Sequence, residues 1–375
     1  MQQSKYFIGL MSGTSADGVD AALIKSSNNQ IQLIDFISTE LSPPLKQALL
    51  KLNDNPNIHL EELCSLHKQV ADSFVSATQT LLSQNTIQIE EITAIGSHGQ
   101  TIYHAPDIPM TLQIGHPAFI TKNTGITTVA DFRVDDMALG GQGAPFAPAF
   151  HKALFSQENA CFVVNIGGIA NVSCLPGKQD SQRVIGWDTG PGNSLMDEVC
   201  HTELNIPYDP SGDNARQGNI HTNLLSEMLK HPYFAASYPK STGRDTFHAK
   251  WVKTLLSNLN IEISTIDLLA TLCELTALSI AQQIKSVNYS SKDKQPLKVW
   301  IVGGGAYNEY LLERLQFHLK GYSVVSSQLT DINPNAVEAM MCAWLAEQRL
   351  NNQPVELASV TGANRNAVLG GIWHP

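Results

Sequence analysis

A single carboxylate, Asp188, lies in the glycine-rich segment Gly186–Asn193, directly after the predicted strand Val184–Trp187. Phosphoryl transfer to an alcohol requires a group that accepts the hydroxyl proton, and an aspartate at a strand end beside a helix N-terminus suits that role. The same position also suits an aspartate that only caps the following helix. We therefore predict Asp188 as a general base, with helix capping as the alternative.

Two further segments are glycine-rich turns between predicted strands. The first, Gly9–Asp20, is dense in serine, threonine and aspartate, and the second, Asn165–Ser173, contains Gly167 and Gly168. Small residues let backbone amides approach a phosphate closely, and carboxylates can hold a magnesium ion through water. The first segment is not a Walker A loop, because it lacks the Gly-Lys-Ser/Thr ending. Either turn alone could be purely structural, but two at matching positions could hold a triphosphate from opposite sides.

A third glycine-rich segment contains Gly303, Gly304 and Gly305, after a buried strand and before the helical run Glu309–Leu319. It lacks the last glycine of the dinucleotide-binding fingerprint, and no acidic residue follows at the expected distance. The segment therefore predicts a platform beneath a nucleoside better than it predicts a Rossmann site.

Three more residues are candidates for binding a small molecule. Arg133 could hold a substrate carboxylate in a two-pronged hydrogen bond, or it could pair with Asp131 or Asp135 on the surface. A lone histidine such as His98 is more often structural than functional. Glu338 falls off the apolar stripe of its predicted helix, so it either faces solvent or points into a cleft.

The predicted secondary structure occurs twice in the same order. The first half contains the strands Tyr6–Met11, Val19–Lys25 and Ile31–Ser38, the helix Leu60–Leu82 and the strand Ile92–Ser97. The second half contains the strands Cys161–Ile166, Ala170–Leu175 and Val184–Trp187, the helix Asp267–Lys285 and the strand Val299–Val302. This repetition indicates an ancient duplication. A chain of 375 residues with 43% hydrophobic content is also long enough for two domains.

We place the boundary between two lobes near Arg133–Ala138, where a polar run leads into a glycine-rich one. A second crossing near Gln353–Glu356 would return Ser359–Trp373 to the first lobe. The predicted first lobe is therefore residues 1–133 with 356–375, and the second is residues 134–355. The helix before the second crossing carries an apolar stripe that predicts core packing, formed by Val337, Met340, Met341, Trp344 and Leu345.

The composition excludes several classes of function. The formal net charge of -10, with 24 Lys and Arg spread along the chain, argues against a nucleic-acid surface or a polybasic membrane face. The six cysteines show no paired spacing, so a zinc site and a disulfide framework are not expected. No leader is recognisable after Met1, and no segment approaches the roughly 18 apolar residues of a membrane span. A soluble, cytoplasmic protein that binds a small molecule is the resulting expectation.

Taken together, these motifs resemble the phosphate hairpins and adenosine segment of the actin, hexokinase and heat-shock-protein-70 ATPase superfamily. Within it, the chain is similar to the anhydro-N-acetylmuramic acid kinase family over nearly its whole length, in the segments Gly9–Asp20, Gly96–Thr101, Ala130–Arg133, Gly186–Asn193 and Ser359–Ala363. The resemblance implies a two-lobed α/β fold of the actin-like, ribonuclease H-like type. Each lobe would be a mixed sheet flanked by helices, with the nucleotide in the cleft between the lobes.

The resemblance also implies a reaction. The family converts 1,6-anhydro-N-acetylmuramic acid, ATP and water to N-acetylmuramic acid 6-phosphate and ADP, in the recycling of peptidoglycan. Asp188 would activate the water, and Arg133, Glu338 and His98 would bind the sugar. The predicted ATP-binding residues are Gly13, Thr14, Ser15, Ala16, Asp17, Gly18, Val19, Asp20, Gly167, Gly168, Gly303, Gly304 and Gly305.

The cofactors implied by the resemblance are ATP and Mg²⁺, with metal ligands unassigned, and the implied assembly is a homodimer. Two alternatives share the nucleotide motifs. One is an ordinary sugar kinase that acts on a free hydroxyl, and the other is a chaperone-like or cytoskeletal ATPase of the same fold. Similarity of fold does not separate them.

Overall fold

The structure is a computed structural model that describes residues 4–27, 30–105, 107–156, 158–178, 180, 182–238, 240–243, 246–289, 295–330 and 332–375. Of the sequence predictions, the one on a leader after Met1 falls partly on residues 1–3, outside the described residues.

The strands, numbered in chain order, are β1 (Lys5–Ser12), β2 (Gly18–Ser27), β3 (Gln30–Glu40), β4 (Ile92–Ala105), β5 (Met110–Ile114), β6 (Thr128–Ala130), β7 (Cys161–Ile166), β8 (Ile169–Leu175), β9 (Ile185–Pro191), β10 (Leu297–Val302), β11 (Tyr322–Ser326) and β12 (Gly371–Trp373).

The α-helices are α1 (Pro43–Asp54), α2 (Leu60–Ser83), α3 (Pro117–Thr124), α4 (Phe132–Ala138), α5 (Ala147–Phe155), α6 (Ser194–Val199), α7 (Asp213–Gln217), α8 (Thr222–Met228), α9 (Pro232–Ala235), α10 (Ala249–Leu259), α11 (Thr265–Ser286), α12 (Glu309–His318), α13 (Val337–Leu350) and α14 (Ala358–Thr361). Short 3₁₀ turns cover Ile89–Glu91, Pro210–Gly212, Gly304–Tyr307, Ser327–Leu329 and Pro334–Ala336, and a π-helical turn covers Cys200–Leu204.

The chain forms two compact units. Unit 1 comprises Met1–Leu154 with Ala336–Pro375, and unit 2 comprises Phe155–Asn335. Both limits lie about 20 residues from the lobe boundaries predicted at 133/134 and 355/356. The lobe boundaries stay a prediction. After the first of them, the Asp136 carboxylate accepts hydrogen bonds from the Gly143 amide and the Thr361 hydroxyl, both at 2.8 Å.

Unit 1 is built on a mixed sheet with the strand order β12-β6-β4-β1-β2-β3, and β5 pairs with β4 beside this path. The strands β1, β2 and β3 are antiparallel, whereas β4 runs parallel to both β1 and β6. Antiparallel pairing of β12 with β6 brings the C-terminal residues of the chain into this sheet. One face of the sheet is covered by α2, whose buried residues recur at helical spacing: Leu66, Val70, Phe74, Ala77 and Leu81.

The other covering helix, α13, lies unusually close to the sheet. A side chain at Gly9 on β1 would overlap the backbone of Ala339, and one at Gly96 on β4 would overlap the backbone of Cys342. Glycine at both positions therefore lets the helix backbone approach two neighbouring strands. The predicted apolar stripe of this helix is buried, and nearly all of Val337–Ala346 is buried with it.

Unit 2 is built on a second sheet with the strand order β11-β10-β7-β8-β9. The first three strands of this unit, β7, β8 and β9, form an antiparallel meander. Strand β10 then pairs in parallel with β7, and β11 pairs in parallel with β10. The order and direction match those of β1, β2, β3, β4 and β6 in unit 1. The predicted α/β class and the repeated order of elements in the two halves are thus confirmed.

The longest helix of unit 2, α11, lies in the core of that unit. It has 22 residues, and its length and apolar composition alone would allow a membrane span, although 67% of the most apolar stretch is buried within the protein. The sequence analysis expected no segment with roughly 18 apolar residues, and α11 reaches the length of a span with Asp267, Glu274 and Lys285 among its residues. Threonine and serine on α11 face the interior and hydrogen bond to backbone carbonyls, as Thr276 does to Pro191 at 3.1 Å.

Two predicted strands are longer than expected. The strand predicted at Ile92–Ser97 continues to Ala105, because β5 pairs with its second half. The strand predicted to end at Trp187 continues to Pro191 as β9. Asp188 therefore lies within a strand and not in a turn that opens a helix, which corrects the prediction. Since β9 is an edge strand, its glycines and proline are tolerated.

Candidate functional site

Asp188 occupies an irregular position on β9. It is partly buried and pairs with Asn171, but Ala170 pairs with Gly190, so Thr189 is an additional residue that forms a β-bulge beside it. The Thr189 hydroxyl is fixed by donating to the Ala170 carbonyl at 3.1 Å. Bulges of this kind are frequent next to active sites, because they change the direction of a side chain.

The hydrogen bonds of Asp188 that the structure describes have partners in unit 2. Its Oδ2 accepts from the Thr242 amide at 3.0 Å, its own amide donates to the Lys240 carbonyl at 3.3 Å, and its carbonyl accepts from the Tyr233 hydroxyl at 2.7 Å. Helix α6 begins at Ser194, with Asn193 in the N-cap position. Asp188 does not cap that helix, so the capping alternative is wrong.

Burial raises the pKa of Asp188 to about 6, although the hydrogen bond from the Thr242 amide acts in the opposite direction. A carboxyl group in this range is mostly ionised at neutral pH and still has appreciable proton affinity. These are the properties that general base catalysis requires.

Lys240 and Thr242, which contact Asp188, belong to a segment that also makes contacts with α9 and β9. Lys240 Nζ donates to the Tyr233 carbonyl at 3.0 Å and lies 4.6 Å from the centre of the Tyr233 ring. Burial lowers the pKa of this lysine. Next to it, Tyr238 stacks on Trp187 with 4.6 Å between ring centres. Sequence reasoning assigned no role to this segment, which lies more than 50 residues from Asp188 in the chain.

The second glycine turn joins β7 to β8 and is tied to the start of α6. The Gly167 carbonyl accepts from the Asn193 amide at 2.8 Å, and the Gly168 carbonyl accepts from the Gly192 amide at 2.9 Å and the Ser194 amide at 3.2 Å. A Cβ atom at Gly167 would meet nothing closer than the Ile169 carbonyl oxygen at 3.8 Å. The turn therefore leaves room for a ligand beside Gly167, while the amide of Ser194, the first residue of α6, is already paired.

The third glycine segment packs on the end of β7. Gly303 has a φ of 75°, and side chains at Gly303 or Gly305 would overlap Asn165 or Ile166. Only the Cβ position of Gly304 is open among these three, with Asn193 Nδ2 at 3.5 Å as the nearest atom. Two glycines thus allow close packing, and the third faces free space.

Gly304 lines a cavity of about 300 Å³ within unit 2, which is within the usual range for small-molecule sites. The lining residues are Asn193, Met196, Asp197, Tyr208, Asp209, Ser211, Gly304, Tyr307, Asn308 and Asn335. Two of them serve the fold: Asp209 accepts from the amides of Asn214 and Ala215, and Asn308 caps α12. The partly exposed rings of Tyr208 and Tyr307 offer apolar surface to a planar ligand. Sequence reasoning missed Tyr208, because nothing near it has a recognisable pattern.

The first glycine turn, between β1 and β2 in unit 1, is held by Gln100 of β4. Gln100 is 1% exposed, and its Nε2 donates to the Gly13 carbonyl at 3.0 Å, while its Oε1 lies 2.6 Å from the Ser12 hydroxyl. Ala16 adopts a left-handed conformation with a φ of 51° and donates its amide to the Gly13 carbonyl. A Cβ atom at Gly13 would meet only the Ser15 hydroxyl, at 3.8 Å.

The remaining residues of this turn have different surroundings. Gly18 packs against the backbone of Thr39, so its small size has a structural cause. Asp17 pairs with Lys46 of α1 at 2.7 Å, and burial raises the pKa of Asp20. Among the described residues, no group of three or more histidine, cysteine or acidic side chains is placed to hold a metal ion by itself.

His98 and Arg133 are in direct contact in unit 1. Arg133 Nε donates to His98 Nε2 at 2.7 Å, and His98 Nδ1 lies 2.8 Å from the Gly99 carbonyl. Since arginine can only donate, His98 must be the neutral tautomer with its proton on Nδ1. Burial, and then the charge of Arg133, lower the pKa of His98 to about 3.

The third predicted sugar-binding residue belongs to the same group. Burial lowers the pKa of Arg133, and the charge of Glu338 counteracts that effect. Glu338 itself is exposed at the start of α13. Unit 1 thus brings together a cation, an anion and a neutral imidazole that orients the cation, which is a suitable set for a polar, anionic ligand.

Comparison with known proteins gives a consistent result. A family model described as anhydro-N-acetylmuramic acid kinase matches residues 5–375. A protein named anhydro-N-acetylmuramic acid kinase from Hydrogenovibrio crunogenus is 50% identical over 372 residues, which cover 99% of each chain. Proteins with the same name from Saccharophagus degradans and Vibrio cholerae are 43% and 42% identical, over 98% and 100% of this chain and 99% and 100% of theirs.

Solved structures resemble the chain more distantly. An activator of 2-hydroxyisocaproyl-CoA dehydratase from Clostridium difficile has a TM-score of 0.48 at 10% identity, covering 92% of this chain and 96% of that one. A ROK family glucokinase from Streptomyces griseus has a TM-score of 0.41 at 13% identity, covering 92% and 99%. Both scores are below 0.5, so the relationship of the chain to known proteins rests on sequence.

Proposed function

Because the chain belongs to the anhydro-N-acetylmuramic acid kinase family, we propose that it uses ATP and water to convert 1,6-anhydro-N-acetylmuramic acid to N-acetylmuramic acid 6-phosphate, in peptidoglycan recycling. The observation that carries this proposal is the match along residues 5–375, with 50% identity to a relative of that name. The groups within each unit are of the kinds that the reaction needs, a partly buried carboxylate in unit 2 and an arginine oriented by a histidine in unit 1.

The substrate determines what the protein must do. In a 1,6-anhydro sugar, the 6-oxygen is part of an internal acetal, so there is no free hydroxyl to phosphorylate. Water must form a bond to the anomeric carbon while the bond from that carbon to the 6-oxygen breaks. The released 6-oxygen takes the γ-phosphoryl group, whose bond to ADP breaks, and a base takes one proton from the water.

We assign the base to Asp188. It is the partly buried carboxylate on the bulged edge strand, with one oxygen held by the Thr242 amide. Its pKa of about 6 leaves it ionised at neutral pH and able to accept a proton during the reaction.

We assign nucleotide binding to the three glycine segments. The cavity beside Gly304 and Tyr307 in unit 2 would take the nucleoside. The open spaces beside Gly13 and Gly167 would take phosphates. Mg²⁺ binds mainly through phosphate oxygens, water and one or two carboxylates, and would neutralise charge on the transferred group. Asp17 and Asp20, the two carboxylates of the segment Gly9–Asp20, are oxygen donors of this kind.

We assign sugar binding to His98, Arg133 and Glu338. The sugar carries a lactyl carboxylate, and a guanidinium oriented through His98 can bind a carboxylate with two hydrogen bonds. Glu338 can accept hydrogen bonds from sugar hydroxyl or amide groups. The cytoplasmic location and the homodimer implied by the family resemblance are parts of the same proposal, and light scattering coupled to gel filtration would test the dimer.

The test is an assay of the purified protein with ATP and either the anhydro sugar, free N-acetylmuramic acid or no sugar. We expect ADP release to depend on the anhydro sugar and to equal the 6-phosphate formed. In H₂¹⁸O, the label should enter at the anomeric carbon and not in the phosphate. Phosphorylation of the free sugar alone would instead identify an ordinary kinase, and ADP release without sugar would identify an ATPase.

A further inference from the structure

The backbone amide and carbonyl of Asp188 are both bonded to residues outside the sheet. The carbonyl accepts from the hydroxyl of Tyr233, on α9, at 2.7 Å, and the amide donates to the Lys240 carbonyl at 3.3 Å. In the part of the chain that the structure describes, β9 is an edge strand, so no further strand supplies such bonds on its outer side. The bulge at Thr189 also interrupts regular pairing directly after Asp188. Sheet hydrogen bonds alone therefore do not fix the position of Asp188.

Tyr233 and Lys240 are also bonded to each other, so that three hydrogen bonds form a closed cycle. Tyr233 donates to Asp188, Asp188 donates to Lys240, and the Lys240 ammonium donates to the Tyr233 carbonyl at 3.0 Å. The same ammonium lies 4.6 Å from the centre of the Tyr233 ring, a distance at which a cation and an aromatic ring attract each other. Displacing one of the three residues therefore stretches its bonds to the other two.

The Tyr233 hydroxyl is suited to a permanent donor role. A carbonyl oxygen can only accept, so the hydroxyl must keep its proton to make this bond. Burial, and then the charge of Asp188, raise the pKa of Tyr233, so the hydroxyl stays protonated at neutral pH. The ring of Tyr233 is edge-on to the rings of Phe234 and Phe247. These contacts do not involve the hydroxyl, so its removal leaves the packing of the ring in place.

The carboxylate of Asp188 is held by the same part of the chain. Its Oδ2 accepts from the amide of Thr242, two residues after Lys240, at 3.0 Å. An aspartate side chain has only two rotatable bonds. A fixed backbone and one fixed carboxylate oxygen thus determine where the other oxygen, Oδ1, lies.

We propose that Tyr233 is a positioning residue for Asp188, and that Lys240 supports it by holding the Tyr233 carbonyl. The cycle fixes the backbone of the base, and the Thr242 amide fixes Oδ2, so that Oδ1 has a defined position when it accepts the proton. Tyr233 and Lys240 themselves neither gain nor lose a proton. This inference rests on the proposed function, because it names the groups that orient the base of that reaction.

The test begins with single variants. Tyr233→Phe removes only the hydroxyl, and we expect it to lower kcat for the anhydro sugar about 10- to 100-fold, as a slightly misplaced catalytic group does, with an unchanged KM for ATP. Lys240→Met keeps the length of the side chain but removes the donor, and should cause a smaller loss of kcat. Tyr322→Phe is the matched control, because it removes the hydroxyl of a partly buried tyrosine on β11, at the opposite edge of the same sheet. It should keep wild-type turnover.

The decisive comparison repeats Tyr233→Phe in the Asp188→Asn background. A residue that acts only through the base has little left to contribute once the base is gone, so the second change should lower the residual rate less than about 2-fold. An equal loss in both backgrounds would show a role independent of Asp188 and overturn the inference, as would wild-type kcat in Tyr233→Phe or in Lys240→Met. If Tyr233→Phe does not fold, Lys240→Met is compared in the same two backgrounds. A wild-type protein that is inactive on the anhydro sugar would instead refute the proposed function, so the two failures are distinguishable.

Discussion

Replacing Asp188 with asparagine should inactivate the protein and at the same time stabilise it. Asparagine has the same size, and its side-chain oxygen can still accept the hydrogen bond from the Thr242 amide. It cannot take a proton from water. Removing a general base typically costs about 10² to 10⁴ in rate, and we expect kcat for the anhydro sugar to fall by at least that factor while ATP binding stays intact.

The stability change follows from the pKa of Asp188, which is about 6 in the folded protein against the ordinary value of 3.8. At about 1.4 kcal/mol for each tenfold change in proton affinity, ionising this group in the fold costs about 3 kcal/mol. A raised carboxyl pKa means that the folded protein holds the proton more tightly than the unfolded chain. The penalty is therefore absent below about pH 4, develops up to about pH 6 and is complete above it.

The assay is denaturant unfolding of wild type and Asp188→Asn at pH 4, 5, 6 and 7.5, together with calorimetric ATP binding and turnover at pH 7.5. The stability difference should grow towards about 3 kcal/mol with rising pH. Asp267→Asn is a matched control of opposite sign, because the backbone amide of Asn219 lowers the pKa of Asp267. That variant should lose stability above the acid range and keep full activity. Near-normal turnover by Asp188→Asn, or a stability difference independent of pH, would refute the reasoning.

Three other changes test the remaining parts of the site. Arg133→Lys should raise the KM for the anhydro sugar about 10-fold or more without changing the KM for ATP, because lysine cannot both donate to His98 and present a planar pair of donors. A variant with the wild-type KM for the sugar would contradict this. Gln100→Leu should raise the KM for ATP about 10-fold, since the Gly13 carbonyl loses the side chain that holds its turn, and unchanged ATP kinetics would show that the turn is rigid without it. Gly304→Val should weaken calorimetric ATP binding at least 10-fold with little loss of melting temperature, because its Cβ position is open on the cavity side; wild-type affinity would place the nucleoside elsewhere.

The architecture was largely predictable because local patterns determine it. The β-branched runs that became β1, β7 and β10, and the helical spacing of α2, are recognisable without knowledge of the fold. The end of β9 was not predictable from such patterns. Gly190 and Pro191 are typical turn residues, and only the place of this strand at the sheet edge makes them compatible with pairing.

The candidate site residues likewise include some that local patterns predict and others that local patterns do not. Glycine and carboxylate motifs indicated Asp188 and the three turns, because their spacing along the chain carries the signal. Thr242 and Gln100 could not be assigned roles, since their partners are 54 and 87 residues away in the sequence. The tautomer of His98 likewise depends on Arg133, which is 35 residues away. Contacts of this kind follow from the sheet order and not from any local pattern.

The close contact of α13 with Gly9 and Gly96 has a consequence for biosynthesis. Domains usually fold in the order in which the ribosome releases them. Here α2 covers one face of the sheet early, but the face of β1 and β4 that packs on α13 stays uncovered until Val337–Leu350 has been made, more than 240 residues after β4 begins. Unit 2 is one uninterrupted stretch and can complete its core first. Unit 2 can therefore complete its core before unit 1, because one apolar face of the first sheet stays uncovered until the residues of α13 have been made.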